Sequence, residues 1–320
     1  MTIPQSFSLR PKAWCGRFLA AAMSLLALNL SAAEQATSQI RVRRFSVPFP
    51  LGMASDGTYL WVADLDSGSV RKLDKHNGSV LATYPVFPSS AGAYYIVFDG
   101  ANMWVSSFNG GLAKLRASDG ISLGYYDGGG SATSMVFDGA NIWVTNAFRN
   151  TVTKVRASDG VKLGTFPSGN TGTSITFDGT NIWVTNGNAN TVTEIAGSDG
   201  SIIATYDTGA FTSGIGYENG HIWVSHYNAN TVTELSASDG SILGTFAAGV
   251  TPTAIAITPT KIWVTNDVAG QSHAASLLLN DGTRIDHPRV GTYPHAIFFD
   301  GESIWISNEQ NEVVKITGDI

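Results

Sequence analysis

Three side chains in this sequence could bind a metal ion, and several aromatic side chains could form the wall of a ligand pocket. His226, His295 and Asp64 supply the nitrogen and oxygen ligands that zinc or a similar divalent ion accepts. The aromatic candidates occupy corresponding places in a repeated pattern and are Tyr94, Tyr95, Phe108 and Tyr227. Aromatic walls with a few polar groups are typical of small-ligand sites. The sequence contains no phosphate-binding loop, paired-carboxylate motif or cysteine cluster that would indicate other chemistry.

A repeat of about forty residues, each with one tryptophan, must position these candidates. The tryptophans after residue 33 are Trp61, Trp104, Trp143, Trp183, Trp223, Trp263 and Trp305, with spacings of 43, 39, 40, 40, 40 and 42. One phrase recurs around them, as in FDGANIWVTN and FDGTNIWVTN, and a second follows, as in NTVTKVRASDG from Asn150. Self-similarity at this period indicates a repeat architecture.

Each repeat predicts four short strands, here named a to d. In the fourth repeat they cover residues 173–177, 182–186, 191–195 and 201–206, all rich in β-branched or aromatic residues. Gly-X pairs such as Gly179-Thr180 predict two-residue loops between strands a and b, and Ser-Asp-Gly predicts a tight turn between c and d. We therefore predict an all-β, seven-bladed β-propeller of four-stranded antiparallel blades, with a linear β-solenoid as the alternative.

The two ends of the repeat array predict how the ring closes. The last repeat stops after its third strand, whereas residues 39–47 form an unassigned strand ahead of the first repeat. This N-terminal strand would complete the seventh blade and cover an edge that would otherwise be exposed.

The repeated tryptophans could form an array that stacks on sugars or could pack between blades. Trp183 alternates with Ile182 and Val184 along strand b, and both faces of a blade are covered by neighbouring blades. We therefore predict packing between blades, with each indole N–H hydrogen-bonded nearby.

Counting back from the a–b loop places Thr173 opposite Asn186 and predicts a ring of such pairs around one mouth of the channel. The predicted pairs are Leu51/Asp64, Tyr94/Ser107, Thr133/Asn146, Thr173/Asn186, Ser213/His226, Thr253/Asn266 and His295/Asn308. The departures from Thr/Asn suggest a ligand site made of Asp64, Tyr94, Tyr95, Phe108, His226, Tyr227 and His295. A metal site of His226, His295 and Asp64 is a further hypothesis, although the fifth and seventh blades are not adjacent. Apart from a divalent metal there, we expect no cofactor.

The first 33 residues are predicted to be a signal peptide. Arg10, Lys12 and Arg17 precede an apolar run at residues 18–30 that is too short to span a membrane, and the small residues Ser31-Ala32-Ala33 follow. Cleavage before Glu34 would leave one propeller domain, residues 34–320, without the single cysteine, Cys15. A retained anchor is the alternative. We expect a periplasmic or secreted protein with no membrane span after cleavage.

Charge limits the classes of partner. Cleavage removes three bases, leaving 16 Lys and Arg against 25 Asp and Glu. Nucleic acid and anionic lipid both require a basic face, so neither is expected as a partner. An unidentified protein or small-molecule ligand is expected instead.

The phrases IWVTN, NTVT and SDG resemble the YVTN family of seven-bladed propellers, with Trp in place of Tyr, over the whole chain after residue 33. A more distant similarity is to the streptogramin (virginiamycin B) lyases, through Pro294-His295-Ala296-Ile297. In those lyases strand b carries a glutamate. The seven corresponding positions in this sequence hold Asp64, Ser107, Asn146, Asn186, His226, Asn266 and Asn308. The first resemblance implies the fold and a scaffold used for many roles.

Two functions follow from these observations. The near-uniform Thr/Asn ring favours a non-catalytic binding or protein-interaction scaffold. His295 and the clustered departures favour the alternative, a metal-assisted lyase or lactonase with its site at the channel mouth.

Overall fold

Seven separate four-stranded antiparallel sheets make up the structure, a computed structural model that describes residues 40–268 and 272–320. They are the blades of an all-β, seven-bladed propeller, so the predicted fold is confirmed. The predicted signal peptide, residues 1–33, lies outside the described residues, and its cleavage site stays a prediction. None of the described helices is long and apolar enough to span a membrane.

The strands of each blade follow one another in sequence, and only the seventh blade takes its outer strand from elsewhere. Blade 1 contains β2 (Pro50–Ser55), β3 (Tyr59–Asp64), β4 (Ser69–Asp74) and β5 (Val80–Pro85). Blade 2 contains β6 (Ile96–Phe98), β7 (Asn102–Ser106), β8 (Gly111–Arg116) and β9 (Ser122–Asp127). Blade 3 contains β10 (Ala132–Phe137), β11 (Asn141–Asn146), β12 (Thr151–Arg156) and β13 (Lys162–Pro167). Blade 4 contains β14 (Gly172–Phe177), β15 (Asn181–Asn186), β16 (Thr191–Ala196) and β17 (Ile202–Asp207). Blade 5 contains β18 (Thr212–Glu218), β19 (His221–His226), β20 (Thr231–Ser236) and β21 (Ile242–Ala247). Blade 6 contains β22 (Pro252–Ile257), β23 (Lys261–Asn266), β24 (Ser272–Leu278) and β25 (Arg284–Gly291). Blade 7 contains β26 (Pro294–Phe299), β27 (Ile304–Asn308) and β28 (Glu312–Thr317), and its outermost strand is β1 (Arg41–Ser46). Two single 3₁₀ turns, Ala147–Arg149 and Gly187–Ala189, lie between strands b and c of blades 3 and 4.

The turns form as their residue types predict. Gly179 begins the a–b loop of blade 4 with φ of +98°, a conformation that glycine adopts without strain. Asp178, one residue earlier, accepts hydrogen bonds from the backbone N–H groups of Thr180 (2.8 Å) and Asn181 (2.7 Å). The loop is therefore set by a glycine and an aspartate together.

The tryptophans pack between blades, as predicted. Trp183 of blade 4 is fully buried in a cluster with Ile215, Ile222 and Val224 of blade 5. Its indole N–H donates to the Asp178 carboxylate at 2.7 Å. In four other blades the indole N–H likewise donates to the aspartate five residues earlier in the chain, from Trp61, Trp104, Trp143 and Trp305. Among the described residues, the indole N–H groups of Trp223 and Trp263 have no hydrogen-bond partner, because Glu218 and Thr258 replace the aspartate in blades 5 and 6.

In every blade except the sixth, an aromatic ring from the outermost strand joins the tryptophan to the next blade. Tyr206 stacks on Trp183 with ring centroids 5.5 Å apart. It also covers Gly240 in the c–d turn of blade 5, where a Cβ atom would lie 2.0 Å from the ring. The Ser-Asp-Gly glycine is therefore required for two reasons, its φ of +69° and the closeness of the neighbouring ring.

The ring closes through the N-terminal strand, as predicted. β1 pairs antiparallel with β28 from Arg41 opposite Thr317 to Ser46 opposite Glu312. Phe45 of β1 packs on Trp305 and also covers Gly78 in blade 1. The first strand thus completes the seventh blade and links it to the first.

Candidate functional site

The innermost strand of each blade, strand a, lines a central channel. A cavity of about 250 Å³ lies within it, lined by strand-a residues that include Tyr95, Ser174, Ala254 and His295. The d–a and b–c loops surround one end of the channel, called the mouth face here, because strand a begins and strand b ends at that end.

Hydroxyl groups on strand a join neighbouring blades. Thr133 Oγ1 donates to the carbonyl oxygen of Gly172 at 2.8 Å, and Thr173 Oγ1 donates to that of Thr212 at 3.2 Å. Ser213 makes the equivalent 2.8 Å bond to Pro252. In blade 6 the Thr253 hydroxyl hydrogen-bonds to Thr265 of its own blade instead. The hydroxyl itself is missing from blades 7, 1 and 2, where the corresponding residues are His295, Leu51 and Tyr94.

The predicted register of the ring pairs is wrong by one residue. Phe177 lies opposite Ile182, as predicted, but a β-bulge between Gly172 and Ile175 places Gly172, not Thr173, opposite Asn186. The same bulge occurs in the pairs of blades 1, 3, 5, 6 and 7. It turns the Thr173 hydroxyl towards the next blade, where a carbonyl oxygen accepts its hydrogen bond.

The last residue of strand b is consequently buried within its blade and does not line the mouth. Asp64 is only 1% exposed and forms an ion pair with Arg71. Its other oxygen accepts the N–H groups of Asp66 and Ser67, both at 3.1 Å. Asp64 therefore shapes the b–c loop of blade 1, and its carboxylate is buried there and not exposed at the channel mouth.

His226 is also engaged inside its blade. Its side chain is 1% exposed, with Nε2 2.9 Å from Thr233 Oγ1 and Nδ1 3.2 Å from the carbonyl oxygen of Ala210. Burial lowers its pKa, and the bond to Ala210 only partly opposes that shift, so the neutral ring is favoured. The structure therefore places this histidine inside its blade and not at the channel mouth.

His295 is the one predicted histidine that reaches the channel, where it lines the cavity. Burial lowers its pKa, while the carboxylates of Glu309 and Asp267 act in the opposite direction. Within residues 40–268 and 272–320, no group of three or more His, Cys, Asp or Glu side chains could hold a metal ion. His226, His295 and Asp64 are therefore not brought together as one ligand set.

The aromatic candidates of blade 2 do form a cluster. Tyr94 lies 5.7 Å from Phe108 and 5.6 Å from Tyr95, between ring centroids. Tyr95 lines the cavity, and burial, aided by Tyr94, raises its pKa to about 12. Tyr227 lies apart from this cluster in blade 5, 6.4 Å from Phe211.

Four exposed apolar side chains extend this cluster and were not among the predicted site residues. They are Phe49 (49% exposed), Leu65 (37%), Phe148 (73%) and Tyr293 (45%). Phe49 and Leu65 line one groove with Tyr94 and Phe108, and Phe148 lies 5.9 Å from Phe108 between ring centroids. These five residues, with Tyr293 at the position in blade 7 that Phe49 has in blade 1, lie on the loops of blades 7, 1, 2 and 3 and are called the mouth arc here. Comparing the loops blade by blade could have found two of them, because Thr171 and Thr251 stand where Phe49 and Tyr293 occur.

Two members of the mouth arc have strained backbones. Phe49 and Tyr293 adopt φ of +40° and +48°, a conformation unfavourable for bulky residues. Asn311 Oδ1 accepts the N–H of Phe49 at 2.9 Å and so helps to hold that conformation. Thr171 and Thr251 adopt the same conformation and donate their N–H groups to Asn150 and Asn230 in the same way, so this turn is a feature of the repeat.

A groove accompanies the mouth arc between blades 1 and 2. Its volume is about 490 Å³, and its lining includes Phe49, Leu65, Tyr94 and Phe108. Asp66 is the only charged residue in that lining. The groove can therefore accept an apolar side chain of a binding partner.

Comparison with solved structures shows the fold and does not identify a function. The fold matches 1619 solved chains, and a likeness so widely shared does not indicate any single activity. One such chain comes from a structure described as "Crystal Structure of Mitotic Checkpoint Complex", with 15% sequence identity and a TM-score of 0.75. The match covers 87% of this chain and 95% of that one. No family model matches the sequence, and no curated protein matches it.

Proposed function

We propose that the protein is a non-catalytic interaction scaffold that binds a partner protein at its mouth face. The mouth arc is the observation that carries this proposal. Monomeric proteins rarely expose large contiguous apolar patches, and such patches mark interaction sites. Aromatic residues are also enriched where protein interfaces are most tightly packed.

The side chains of Phe49 and Tyr293, and not their backbone conformation, support the same proposal. Ser131, Thr171 and Thr251 adopt the same positive φ at the equivalent position of blades 3, 4 and 6, so this turn belongs to the repeat. Blades 1 and 7 differ in placing a large ring, about half exposed, where those blades have Ser or Thr. A partner that buries the two rings would supply a reason for their presence.

The polar groups near the channel support binding and not catalysis. The hydroxyls of Thr133, Thr173 and Ser213 are occupied in bonds between blades. His226 and Asp64 are occupied inside their own blades. The likeness of the repeats to YVTN propellers and the presence of a similar fold in a multiprotein complex accord with a scaffold role.

Site-specific photocrosslinking tests the proposal. A photoreactive amino acid at Phe148 should crosslink to the partner in the native host, whereas the same group at Thr180, on the opposite face, should not. Phe108→Ser and Phe148→Ser should then weaken binding of the purified partner about tenfold each, as expected for interface aromatic residues. Their melting temperatures should stay unchanged because both rings are exposed. Equal crosslinking from both faces, or unaltered binding by both variants, would refute the proposal.

We also propose that the protein works in the periplasm or outside the cell after removal of residues 1–33. The basic leader, the short apolar run and Ser31-Ala32-Ala33 support this localisation. Intact-mass spectrometry of the secreted protein should show a chain that begins at Glu34. A full-length chain retained in the cytoplasm would contradict it.

A further inference from the structure

The net negative charge of the protein is concentrated in two adjacent blades. No lysine or arginine occurs between Lys162 and Lys261, a stretch that contains all of blades 4 and 5. The same stretch contains seven acidic residues: Asp178, Glu194, Asp199, Asp207, Glu218, Glu234 and Asp239. Every other blade contains at least one lysine or arginine.

Comparison with blade 3 shows which positions differ. Arg156 and Lys162 are exposed on the outer part of blade 3, where they pair with Asp159 at 2.8 Å and Asp127 at 3.0 Å. Blade 4 has Ala196 and Ile202 at these two positions. Blade 5 has Ser236 and Ile242 there. Blades 4 and 5 therefore both lack the arginine and the lysine of blade 3. Each has an exposed isoleucine at the position of the lysine.

The aspartates of the c–d turns remain in these blades without the arginine. Asp199 and Asp239 are fully exposed, and each accepts hydrogen bonds from its own turn. Lys154 of blade 3 acts electrostatically on the Asp199 carboxylate, but its Nζ already donates to the carbonyl oxygens of Gly197 (2.6 Å) and Ser198 (3.2 Å). The carboxylates are therefore available to an external cation.

Exposed aliphatic side chains lie beside these carboxylates. Ile202 and Ile203 are 46% and 51% exposed, and Ile242 and Leu243 are 54% and 52% exposed. Ile203 and Leu243 are the extra residues of β-bulges in the outermost strands. A bulge interrupts the edge of a sheet, so this surface can bind through side chains but is a poor template for strand addition.

The two blades form one continuous surface. Tyr206, at the end of β17, lies against Gly240 in the turn before β21. Asp207 and Ile242 occupy the positions of Asp127 and Lys162, which pair at 3.0 Å between blades 2 and 3, so the outer surfaces of blades 4 and 5 meet at this seam. We call this surface, comprising Asp199, Ile202, Ile203, Asp207, Asp239, Ile242 and Leu243, the acidic sector.

We propose that the acidic sector is a second docking surface, which binds a cationic segment of a partner protein that carries Lys or Arg beside aliphatic side chains. Charge complementarity selects such a partner and speeds its encounter, while the isoleucines and Leu243 supply apolar contact. This surface lies on the outer side of blades 4 and 5, apart from the mouth arc of blades 7, 1, 2 and 3. The scaffold can therefore hold two partners at once.

A labelled peptide and the chain's own repeat provide the test. The probe is a fluorescein-labelled peptide of alternating lysine and leucine, with a glutamate–leucine peptide as its control, and binding is measured by fluorescence anisotropy. One variant restores the residues of blade 3 through Ala196→Arg, Ile202→Lys, Ser236→Arg and Ile242→Lys. These are surface positions, so the variant should melt like the wild type. It should bind the lysine–leucine peptide about tenfold more weakly.

The reverse variant is the matched control. Arg156→Ala with Lys162→Ile extends the acidic sector into blade 3 and should tighten binding of the same peptide several-fold. Phe148→Ser, in the mouth arc, should leave it unchanged, which separates this proposal from the mouth-face function. Equal binding by the wild type and the restored variant would overturn the proposal. Sedimentation that shows self-association of the wild type, lost in the restored variant, would also overturn it, since the surface would then bind a second copy of this chain.

Discussion

Replacing Asp138 with alanine tests the account of how the tryptophans are held. Trp143 is fully buried, and its indole N–H donates to Asp138 Oδ2 at 2.7 Å. The other carboxylate oxygen accepts the N–H groups of Ala140 (2.8 Å) and Asn141 (2.6 Å) in the a–b loop. Asp138→Ala therefore leaves a buried donor unsatisfied and also removes a turn cap.

The expected loss follows from these two effects. An unsatisfied buried donor costs about 1–3 kcal/mol, and a lost side-chain cap costs about 1 kcal/mol. The free energy of unfolding should thus fall by about 2–4 kcal/mol in urea denaturation. At about 2 °C per kcal/mol for a domain of this size, the melting temperature should fall by about 4–8 °C.

A double-mutant cycle isolates the indole bond. Trp143→Phe removes the donor, so Asp138→Ala should cost about 1–3 kcal/mol less in that background than in the wild type. Thr258→Ala is the natural control, because Trp263 in blade 6 has no indole partner to lose. Equal costs of Asp138→Ala with and without the indole would refute the reasoning.

The same carboxylate predicts a dependence on pH. Burial raises the pKa of Asp138, but the hydrogen bonds from Asn141, Trp143 and the loop N–H groups outweigh it and lower the pKa overall. A lowered pKa in the folded state means that the stabilisation is present above the unfolded value of about 4 and is lost as the pH falls through the folded value. The difference in stability between wild type and Asp138→Ala should accordingly shrink as the pH falls below about 4.

Four further predictions concern closure, turns, titration and metal. Deletion of residues 39–47 should expose the edge of β28, lower the melting temperature and cause aggregation seen by light scattering, and a wild-type melt would refute the closure. Gly160→Ala should lower the free energy of unfolding in urea more than Gly139→Ala does. A Cβ atom at Gly160 would lie 2.0 Å from the Tyr126 ring, whereas one at Gly139 would meet nothing within 4 Å. Equal losses would mean that only the backbone conformation matters and that the ring contact does not. His226→Gln should flatten the loss of stability on acidification below about pH 6.5, since the lowered pKa of this histidine favours folding only while it is neutral, and an unchanged pH profile would count against that role. Neither a chelator nor added zinc should shift the melting temperature, whereas a rise with zinc would revive the metal-assisted lyase or lactonase hypothesis.

The candidate site was only partly predictable from the sequence. Tyr94, Tyr95, Phe108 and His295 were identified because they depart from the repeat, and the structure places them at the channel or beside the groove. The same logic selects Asp64 and His226, which the structure buries inside their blades. A departure from the repeat reveals that a position differs, but it does not reveal whether the side chain faces the channel or the interior of the blade.

Local signals in the sequence determined the architecture of this protein. The forty-residue period, the Gly-X and Ser-Asp-Gly turns and the unpaired strand at residues 39–47 each depend on neighbours in the chain, and the structure confirms all three. The tertiary structure alone decided the bulge at Gly172, because the carbonyl oxygen that receives the Thr173 hydroxyl belongs to another blade. It also decided which loop residues remain exposed, and thereby the mouth arc and the acidic sector, because exposure depends on how seven separate sheets pack around one axis.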